Sequence, residues 1–372
     1  MAEEKLAILY RPELQEYDFG PGHPFRGDRY RAFPGFLAKR FPSDDNYRII
    51  AAEPASDSDL RLICRQEYID FTRDFFNAAS AGLSYPANFY LFHSADNAPI
   101  GKLGKIEMAA RIIIGQAKKA CDLVEEGKFE KVISLGGGMH HAKPGYGEGF
   151  CLYNDVAFCG VYLMSRHKLD RIVILDTDAH AGNGTAEYFY QEPKILFIDL
   201  HQDPMTLYPG TGFSNQIGSG RGKGFTINIP LPVFAGYESY RLAFESIIEP
   251  VVREFKPRII IRNGGSDPHF ADGLTNLGLP VKGFSLIGEK VRELARQVCQ
   301  GKVIDLIGSG YNDKVLPNSW LALIAGLAGV ELGIEEPVPV PPEFSQDRVL
   351  PRTAEIIREA REQLEDYWQC LR

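Results

Sequence analysis

The stretch from Arg171 to Thr185, RIVILDTDAHAGNGT, constrains the fold more than any other part of the chain. Its first part is a continuous run of branched apolar residues, which is typical of a strand buried on both faces of a parallel sheet. Polar side chains follow at the carboxyl end of that strand, where open α/β sheets bind their ligands. Two glycines then permit a tight turn into a helix. The stretch therefore predicts an α/β sheet whose functional residues collect along one edge.

Two of these polar residues, Asp178 and His180, are suited to metal binding. Because they are two positions apart, an extended backbone points both side chains to the same side. A carboxylate oxygen and an imidazole nitrogen on one side of a strand end can form half of a metal site. The same residues would also fit a solvated acidic loop between a strand and a glycine turn. The ends of the other strands favour the metal site.

Apolar runs and helical patterns alternate along most of the chain. Strands are predicted at 6–10, 47–52, 131–135, 172–175, 195–200, 225–229, 258–261 and 303–307. Helices are predicted at 57–79, 103–126, 154–168, 185–190, 237–255, 283–300, 320–331 and 353–371, with a break near Arg65 and either a new turn or a kink at Pro250. This order predicts an α/β fold with one doubly wound, mainly parallel sheet and helices on both faces.

The length of the chain and its apolar content predict one large catalytic domain. The 372 residues are 44% hydrophobic, which is enough to bury a sizeable core. We expect the catalytic domain to span residues 1–335 and a proline-rich linker to span 336–352. A C-terminal helix, 353–372, would pack on the same domain or at an oligomer interface, and the oligomeric state stays open.

Charge and cysteine content exclude several classes of protein. The net charge of −8 argues against nucleic-acid binding. No apolar run is long enough for a signal peptide or a membrane span, so no membrane association is expected. The six cysteines are scattered without a CxxC pair. We therefore expect reduced thiols in a cytoplasmic protein.

The residues at the strand ends together predict metal-assisted hydrolysis. Four predicted strands end in residues suited to metal binding or acid–base chemistry: His140 and His141, Asp178 and His180, Asp267, and Tyr311. An Asp-His-Asp set plus water would complete a catalytic zinc site with an open position. A neighbouring pair of histidines could activate that water, and a tyrosine hydroxyl could stabilise an oxyanion.

Seven motifs in order carry a resemblance to a known family. They are GHPFRGDR (22–29), GGGMHHA (136–142), GFCLYND (149–155), DTDAHAGNGT (176–185), YPGTG (208–212), GGSDPHFADGL (264–274) and GSGY (308–311). The chain resembles the histone deacetylase family of zinc amidohydrolases, including its bacterial and archaeal deacetylase-like and acetoin-utilisation members. The resemblance covers roughly residues 15–330 and implies the arginase-deacetylase fold.

The resemblance implies a ligand set for the catalytic metal. Asp178, His180 and Asp267 match the family's zinc ligands, and the native metal could be zinc or ferrous iron. A structural potassium site of the family would use Asp176 and the carbonyl groups of Asp178, His180 and Leu200. The cofactors expected are thus one catalytic divalent ion and one potassium ion.

The resemblance also implies catalytic roles. His141 matches the general base and acid, His140 the neighbour that assists electrostatically, and Asp176 the hydrogen-bond partner of His140. Tyr311 matches the tyrosine that polarises the acyl carbonyl. Asn183 stands where class I members have an aspartate beside the second histidine and class II members usually have asparagine. His141 should therefore be a weaker base than it would be with a carboxylate neighbour.

A third set of positions matches the substrate tunnel. Phe150 and Tyr208 match its two aromatic walls, and Gly149 supplies a backbone carbonyl to the substrate amide. Leu274 matches the position that lines the tunnel mouth, where polyamine-specific members carry a glutamate. Asp96 resembles the rim aspartate that binds the substrate backbone.

Three further positions concern the surroundings of the metal. Arg29 matches the arginine below the metal that is associated with acetate exit. Ala181 replaces a second histidine that is common in the family but is not a ligand. Asp199 stands where a serine often lines the potassium site, and the extra carboxylate could tighten cation binding or alter the site.

Four functions remain open from the sequence. The first is a deacylase of acyl-lysine in proteins or peptides, and the second is an amidohydrolase of small acylated amines such as acetylpolyamines. The third, a binding protein with an inactive site, is disfavoured because the ligands, both histidines and Tyr311 are present. The fourth, a two-manganese ureohydrolase, is disfavoured because Gly182 stands where those enzymes need an aspartate for the second metal.

Overall fold

Eight parallel strands with helices around them form the framework of the protein in a computed structural model that describes residues 6–43, 46–101 and 103–372. The strands are β1 (Leu6–Leu9), β2 (Arg48–Ile50), β3 (Lys131–Leu135), β4 (Ile172–Asp176), β5 (Ile195–Gln202), β6 (Thr226–Leu231), β7 (Ile259–Asn263) and β8 (Val303–Ile307). The predicted α/β class with a mainly parallel sheet is confirmed.

Eleven α-helices connect and cover these strands in the described ranges. They are α1 (Asp28–Arg40), α2 (Asp57–Leu60), α3 (Gln66–Ser80), α4 (Ile106–Glu125), α5 (Asp155–Ser165), α6 (Asn183–Phe189), α7 (Tyr237–Ala243), α8 (Glu249–Phe255), α9 (Val281–Val298), α10 (Leu316–Ala328) and α11 (Leu350–Leu364).

The chain divides into two compact units. The first, Met1–Lys168, contributes β2, β1 and β3 in that order to the sheet. Its longest helix, α4, packs on β3 and α5 through a continuous row of buried side chains, as its helical spacing of apolar residues predicts.

The second unit, Leu169–Arg372, contributes β8, β7, β4, β5 and β6 in that order. Every residue of β4, β5, β7 and β8 is buried, which agrees with their mainly apolar sequences. The register places Asp176 at the end of β4 beside Asp199 of β5 and Asn263 of β7. Polar groups of three neighbouring strands thus meet at one end of the sheet.

The structure corrects the sequence prediction at α1. No helix is predicted before residue 57, but α1 begins at Asp28 and ends at Arg40. Pro34 and Gly35 lie inside this helix and weaken its sequence signal, since neither favours a helix interior. Burial of Tyr30, Phe33 and Leu37 on one face stabilises it instead.

The predicted helix at 237–255 is divided, and the C-terminal helix differs from prediction. A π-helical turn, Phe244–Ile248, precedes Pro250, and the proline lies in the first turn of α8, which is the first of the two alternatives expected for it. The α11 helix begins at Leu350, within the segment predicted as linker, because Pro351 is favourable in a first turn. The α11 helix contacts β6 and α7, while the division into domains at 335 and 352 stays a prediction.

One ion pair is buried inside the sheet of the second unit. Arg262 of β7 pairs with Asp305 of β8, and their side chains are 1% and 4% exposed. Arg262 Nη1 also donates to the carbonyl of Gly264 over 3.0 Å. The pair occupies a position where apolar side chains would otherwise pack, and a single unpaired charge buried there would destabilise the fold.

We expect Asp305→Ala to lower the free energy of unfolding by about 3–5 kcal/mol, because the guanidinium of Arg262 would stay buried without its counter-charge. Urea unfolding of the variant beside the wild type measures the loss. The double variant Arg262→Met/Asp305→Leu removes both charges and should recover most of the stability. A loss below about 1 kcal/mol in the single variant would contradict a stabilising role for the pair.

Candidate active site

Three buried side chains meet at the carboxyl ends of β4 and β7 in the second unit. His180 Nδ1 lies 3.1 Å from Asp178 Oδ1 and 3.1 Å from Asp267 Oδ2. One potential ligand atom of each residue lies within 4.8 Å of the others. Within residues 6–43, 46–101 and 103–372, no other group of three or more His, Cys, Asp or Glu side chains is placed closely enough to hold a metal ion. The predicted metal ligands are therefore brought together.

The backbone after β4 positions the first two of these residues. The N–H of Asp178 donates to Asp176 Oδ1 over 3.1 Å, and the N–H of His180 donates to Asp178 Oδ1 over 2.9 Å. Asp176 is held in turn by Asn263, whose Nδ2 lies 2.9 Å from each carboxylate oxygen. The neighbouring strands β4 and β7 thus fix the carboxylates at the strand end.

Asp267 is oriented by a hydroxyl from the loop after β8. Ser309 Oγ donates to Asp267 Oδ1 over 2.8 Å, while Oδ2 faces His180. Thr275 Oγ1 donates to the carbonyl of the same aspartate. Ser309 was not among the predicted site residues, although it lies within the GSGY motif that also contains Tyr311. Its position inside that motif was the available signal.

The charge of the cluster fits a divalent cation. Burial raises the pKa of Asp267, and the negative charge of Asp178 raises it further. Burial opposes protonation of His180, but hydrogen bonds to Asp178 and Asp267 outweigh it and raise the pKa of the imidazole. The cluster therefore concentrates negative charge that positive charge must balance. Two carboxylates and one imidazole are donors that suit zinc or another divalent ion with an open coordination position.

Tyr311 lies near this cluster. Its ring centroid is 6.4 Å from that of His180, with the two rings perpendicular. The backbone N–H of Tyr311 donates to Asp272 Oδ2 over 2.7 Å, and the N–H of Leu274 donates to Asp272 Oδ1 over 2.9 Å. Asp272 thereby joins the loop that carries Tyr311 to the loop that carries Leu274.

A buried glutamine joins two loops of the predicted substrate mouth. Gln202, at the end of β5, donates from Nε2 to Thr206 Oγ1 over 3.0 Å and accepts the N–H of Asn276 over 2.8 Å. The first loop carries Tyr208, which is 43% exposed, and the second carries Leu274, which is 37% exposed. Both predicted substrate contacts are thus accessible. Their loops are joined by Gln202, which was not among the predicted site residues.

Asp199 is neutralised by its own neighbour. Its Oδ1 accepts from His201 Nδ1 over 2.8 Å, and its Oδ2 accepts the N–H of Gly182 over 2.8 Å. His201 Nε2 donates to the carbonyl of Gly212 over 2.9 Å, so both ring nitrogens carry hydrogen when Asp199 is ionised. Burial opposes this charge, but Asp199 raises the pKa of His201. The extra carboxylate therefore forms a buried ion pair.

The two adjacent histidines lie after β3 in the first unit. His140 Nε2 is 3.1 Å from His141 Nε2, and both residues are buried. Asp155 holds their loop, because its carboxylate accepts the N–H groups of Gly138 and Met139 over 2.9 and 2.7 Å. Burial raises the pKa of Asp155 to about 6. Asp155 was not among the predicted site residues, although it is the last residue of the GFCLYND motif.

The predicted tunnel wall Phe150 belongs to an unusual turn. Gly149 and Phe150 have φ angles of +59° and +66°, and this conformation costs a non-glycine residue about 1–3 kcal/mol. Tyr17 stabilises the turn, since its hydroxyl donates to the carbonyl of Phe150 over 2.7 Å and accepts the N–H of Leu152 over 3.2 Å. Asp96 Oδ2 accepts the N–H of Gly149 over 3.1 Å. The predicted rim aspartate thus contacts the predicted substrate-binding turn.

Arg29 is buried in the first unit, beside the ring of Phe25. Its Nε donates to the carbonyl of Arg26 over 2.8 Å, and its guanidinium lies 4.5 Å from the ring centroid of Phe25. The ring of His23 packs edge-on against Phe150 at 4.7 Å. These contacts place Arg29 in a densely aromatic environment of its unit.

The predicted site residues lie in both units. The first unit holds His140, His141, Gly149, Phe150, Asp96 and Arg29, and the second holds Asp176, Asp178, His180, Asn183, Tyr208, Asp267, Leu274 and Tyr311. Their individual roles stay predictions. None of the six cysteines forms a disulfide bond, and no helix in the described ranges is long and apolar enough to cross a membrane.

Comparisons with known proteins converge on one family. A family model described as "Histone deacetylase domain" matches residues 23–327. A "Probable deacetylase" of Archaeoglobus fulgidus is 33% identical over 372 residues, covering 98% of this chain and 99% of the relative. The "Acetoin utilization protein AcuC" of Staphylococcus xylosus is 35% identical over 330 residues, covering 88% and 83%. That of Bacillus subtilis is 32% identical over 338 residues, covering 91% and 84%.

A solved structure shows the same fold. The structure described as "Crystal Structure of HDA15 HD domain" matches with a TM-score of 0.81 over 99% of this chain and 97% of that chain, at 23% identity. The predicted arginase-deacetylase fold is therefore confirmed.

Proposed function

The chain belongs to the histone deacetylase family of hydrolytic enzymes, and we propose that it is a metal-dependent deacylase that hydrolyses the amide of acyl-lysine in proteins or peptides. The buried Asp-His-Asp cluster is the observation that carries this proposal. Two carboxylates and an imidazole are the donors that a mononuclear hydrolytic metal centre needs, and they stand at the edge where α/β sheets bind substrates.

The catalytic metal would be held by Asp178, His180 and Asp267, as zinc or ferrous iron. A bound divalent ion would polarise the amide carbonyl and lower the pKa of water toward about 7. His180 must be neutral at Nδ1 to act as a ligand, so metal binding replaces the proton that the two carboxylates otherwise stabilise. Ser309 would keep Asp267 oriented toward the ion through the hydrogen bond to Oδ1.

The remaining residues would move protons and stabilise charge. His141 would accept the proton of the attacking water and return it to the leaving amine, with His140 and Asp176 as its electrostatic support. Tyr311 would donate its hydroxyl hydrogen to the oxygen that becomes negative. Asn183 would leave His141 a weaker base than a carboxylate neighbour would.

A potassium ion would have a place near Asp176. The negative charge of Asp199 is balanced by His201, so Asp199 adds no uncompensated charge beside that site. The carbonyl groups of Asp178, His180 and Leu200 would complete that site. The function proposed for potassium is structural, because these groups also position the catalytic ligands.

The mouth of the site favours a lysine side chain over a polyamine. Leu274 offers an apolar, partly exposed surface. The nearest carboxylate along the chain, Asp272, accepts the backbone N–H groups of Leu274 and Tyr311 and is thereby oriented toward the protein. A distal ammonium group would therefore gain little there. Phe150 and Tyr208 would contact the aliphatic stem, and Asp96 and the carbonyl of Gly149 would bind peptide groups.

We expect an acetyl-lysine peptide to be hydrolysed with a higher kcat/KM than acetylputrescine or acetylspermidine. The Leu274→Glu variant should shift the ratio toward the polyamines, because a carboxylate about 4 Å from an ammonium group is worth about 1–4 kcal/mol. Leu274→Gln is the control, because glutamine has the shape of glutamate without its charge, and it should leave the ratio nearly unchanged. A clear polyamine preference in the wild type would instead assign the enzyme to small acylated amines.

A further inference from the structure

One buried glutamine joins two loops of the second unit that carry predicted substrate contacts. Gln202, the last residue of β5, is 1% exposed. Its Nε2 donates to Thr206 Oγ1 over 3.0 Å, and its Oε1 accepts the N–H of Asn276 over 2.8 Å. Thr206 lies two positions before Tyr208, and Asn276 lies two positions after Leu274. We call this pair of hydrogen bonds the glutamine bridge.

The glutamine bridge needs a side chain that donates and accepts at the same time. The N–H of Asn276 can only donate, so the atom that faces it is the amide oxygen of Gln202. Thr206 Oγ1 gives its own hydrogen to the carbonyl of Asp203 over 2.8 Å and therefore accepts from Gln202 Nε2. A carboxylate would serve the first contact and not the second, and an apolar side chain would serve neither. The amide is thus required for both contacts.

The backbone of Gln202 is held independently of the bridge. Its N–H donates to the carbonyl of Ala179 over 2.9 Å, and Ala179 lies between the predicted metal ligands Asp178 and His180. This bond does not involve the side chain of Gln202. Replacement of that side chain should therefore leave the metal ligands in place.

The loop that carries Leu274 has further attachments. Thr275 Oγ1 donates to the carbonyl of Asp267, and the carbonyl of Asn276 accepts the N–H of Phe234 over 2.7 Å. These bonds join the loop to a predicted metal ligand and to the loop after β6. The Leu274 side of the bridge is therefore fixed relative to the metal cluster.

The loop that carries Tyr208 depends more on the bridge. The N–H and the hydroxyl of Thr206 both donate to the carbonyl of Asp203 in the same loop, each over 2.8 Å. Met205 and Tyr208 are 78% and 43% exposed, so burial of these two side chains does little to hold the loop. The contact from Gln202 ties this loop to the one that contacts the metal cluster.

We propose that Gln202 is a positioning residue that holds Tyr208 and Leu274 at a fixed separation and thereby sets the affinity of the mouth for an aliphatic stem. This inference rests on the proposed function, because both residues are predicted substrate contacts. Side chains that are ordered before binding lose less conformational entropy when the ligand arrives. Loss of the bridge should therefore weaken binding of the stem and leave the metal centre intact.

Four variants isolate the bridge. Gln202→Met keeps the length of the side chain and removes both hydrogen bonds, and Thr206→Val removes one of them. Thr206→Ser keeps the hydroxyl group and should behave as the wild type. Gln297→Met makes the same replacement at an exposed position of α9 and is the control.

Two hydroxamates separate the mouth from the metal in the full-length, metal-loaded protein. Acetohydroxamate reaches only the metal, whereas a hydroxamate with a long aliphatic chain also contacts the mouth. We expect Gln202→Met to weaken binding of the long compound about three- to tenfold, as expected for the loss of one or two buried hydrogen bonds, with acetohydroxamate unaffected. The KM of an acetyl-lysine peptide should rise by a similar factor at unchanged kcat.

The other variants should follow the same order. Thr206→Val should weaken the long compound in the same direction, while Thr206→Ser and Gln297→Met should bind both compounds as the wild type does. Equal weakening of the two hydroxamates in Gln202→Met would mean that the metal centre is disturbed, and this would overturn the proposal. An unchanged preference for the long compound in both Gln202→Met and Thr206→Val would overturn it as well.

Amide hydrogen exchange distinguishes failure of the bridge from failure of the proposed function. The N–H of Asn276 loses its acceptor in Gln202→Met, so its exchange and that of residues 204–210 should become about three- to tenfold faster. Unchanged exchange in both loops would overturn the proposal whatever the substrate is. A wild type that binds the long hydroxamate but hydrolyses no acetyl-lysine peptide would contradict the proposed substrate and leave the positioning role supported.

Discussion

Replacing Asp267 with asparagine is expected to remove the bound metal ion and to lower the deacetylase activity at least about a thousandfold. The carboxylate is one of only two negative charges in the buried cluster, and Asp178 supplies the other. A neutral amide oxygen would leave a divalent ion with a net positive charge in a site that excludes water. The metal content, measured by elemental analysis after dialysis, should fall from about one equivalent per chain in the wild type to a small fraction in the variant.

The neighbouring hydroxyl provides a matched control. Ser309→Ala keeps the three ligands but removes the hydrogen bond to Asp267 Oδ1. We expect metal affinity to fall about 10- to 100-fold and activity to return when excess metal is added. Inhibition by a hydroxamate should follow metal content in both variants. A fully loaded Asp267→Asn variant would contradict this ligand set, and two equivalents of active-site manganese in the wild type would contradict a mononuclear centre.

The strand ends could be predicted from sequence because local patterns determine them. The strands predicted at 131–135 and 303–307 are β3 and β8, residue for residue. Buried strands appear in the sequence as short apolar runs, and polar residues directly after them have to lie at the carboxyl edge of a parallel sheet. The positions of Asp178, His180 and Asp267 after β4 and β7 indicated a metal site, and the family resemblance implied that they form one ligand set.

The turn at Phe150 shows what sequence patterns could not supply. A positive φ at phenylalanine has no local signal, and its stabilising contact with Tyr17 joins residues 133 positions apart. The contacts of Ser309 with Asp267 and of Asn263 with Asp176 also have no local sequence signal, because they depend on which strands are neighbours in the sheet. Such partners become visible only when the sheet order is known.

Local signals also failed where tertiary packing outweighs propensity. The α1 helix contains Pro34 and Gly35 and was not predicted. Its buried aromatic face stabilises it despite both residues, since burial of one large side chain is worth about 1.5–3 kcal/mol.

The His141→Ala variant is expected to lower kcat about 10²- to 10⁴-fold while the metal ion stays bound. His141 lies in the first unit and supplies none of the three ligand atoms of the cluster. Its Nε2 is 3.1 Å from that of His140, so one of the two nitrogens must donate to the other. This contact couples the protonation of the two rings, and removal of either changes the basicity of the other.

The pH dependence of the same variant separates acid–base chemistry from a packing effect. A Cβ at Gly149 would lie 2.2 Å from the His141 ring, so truncation of His141 also opens space beside the predicted substrate-binding turn. A pure packing effect would raise KM and leave the shape of the profile of kcat/KM against pH intact. Loss of the general base would instead lower kcat and remove the acidic limb of that profile, because the imidazole whose protonation causes that limb is absent. His167→Ala, which removes a histidine bound to Asp122 outside the predicted site, is the control and should keep both limbs. Near-normal kcat in a metal-loaded His141→Ala enzyme would exclude this residue from proton transfer and leave His140 as the remaining imidazole of the pair.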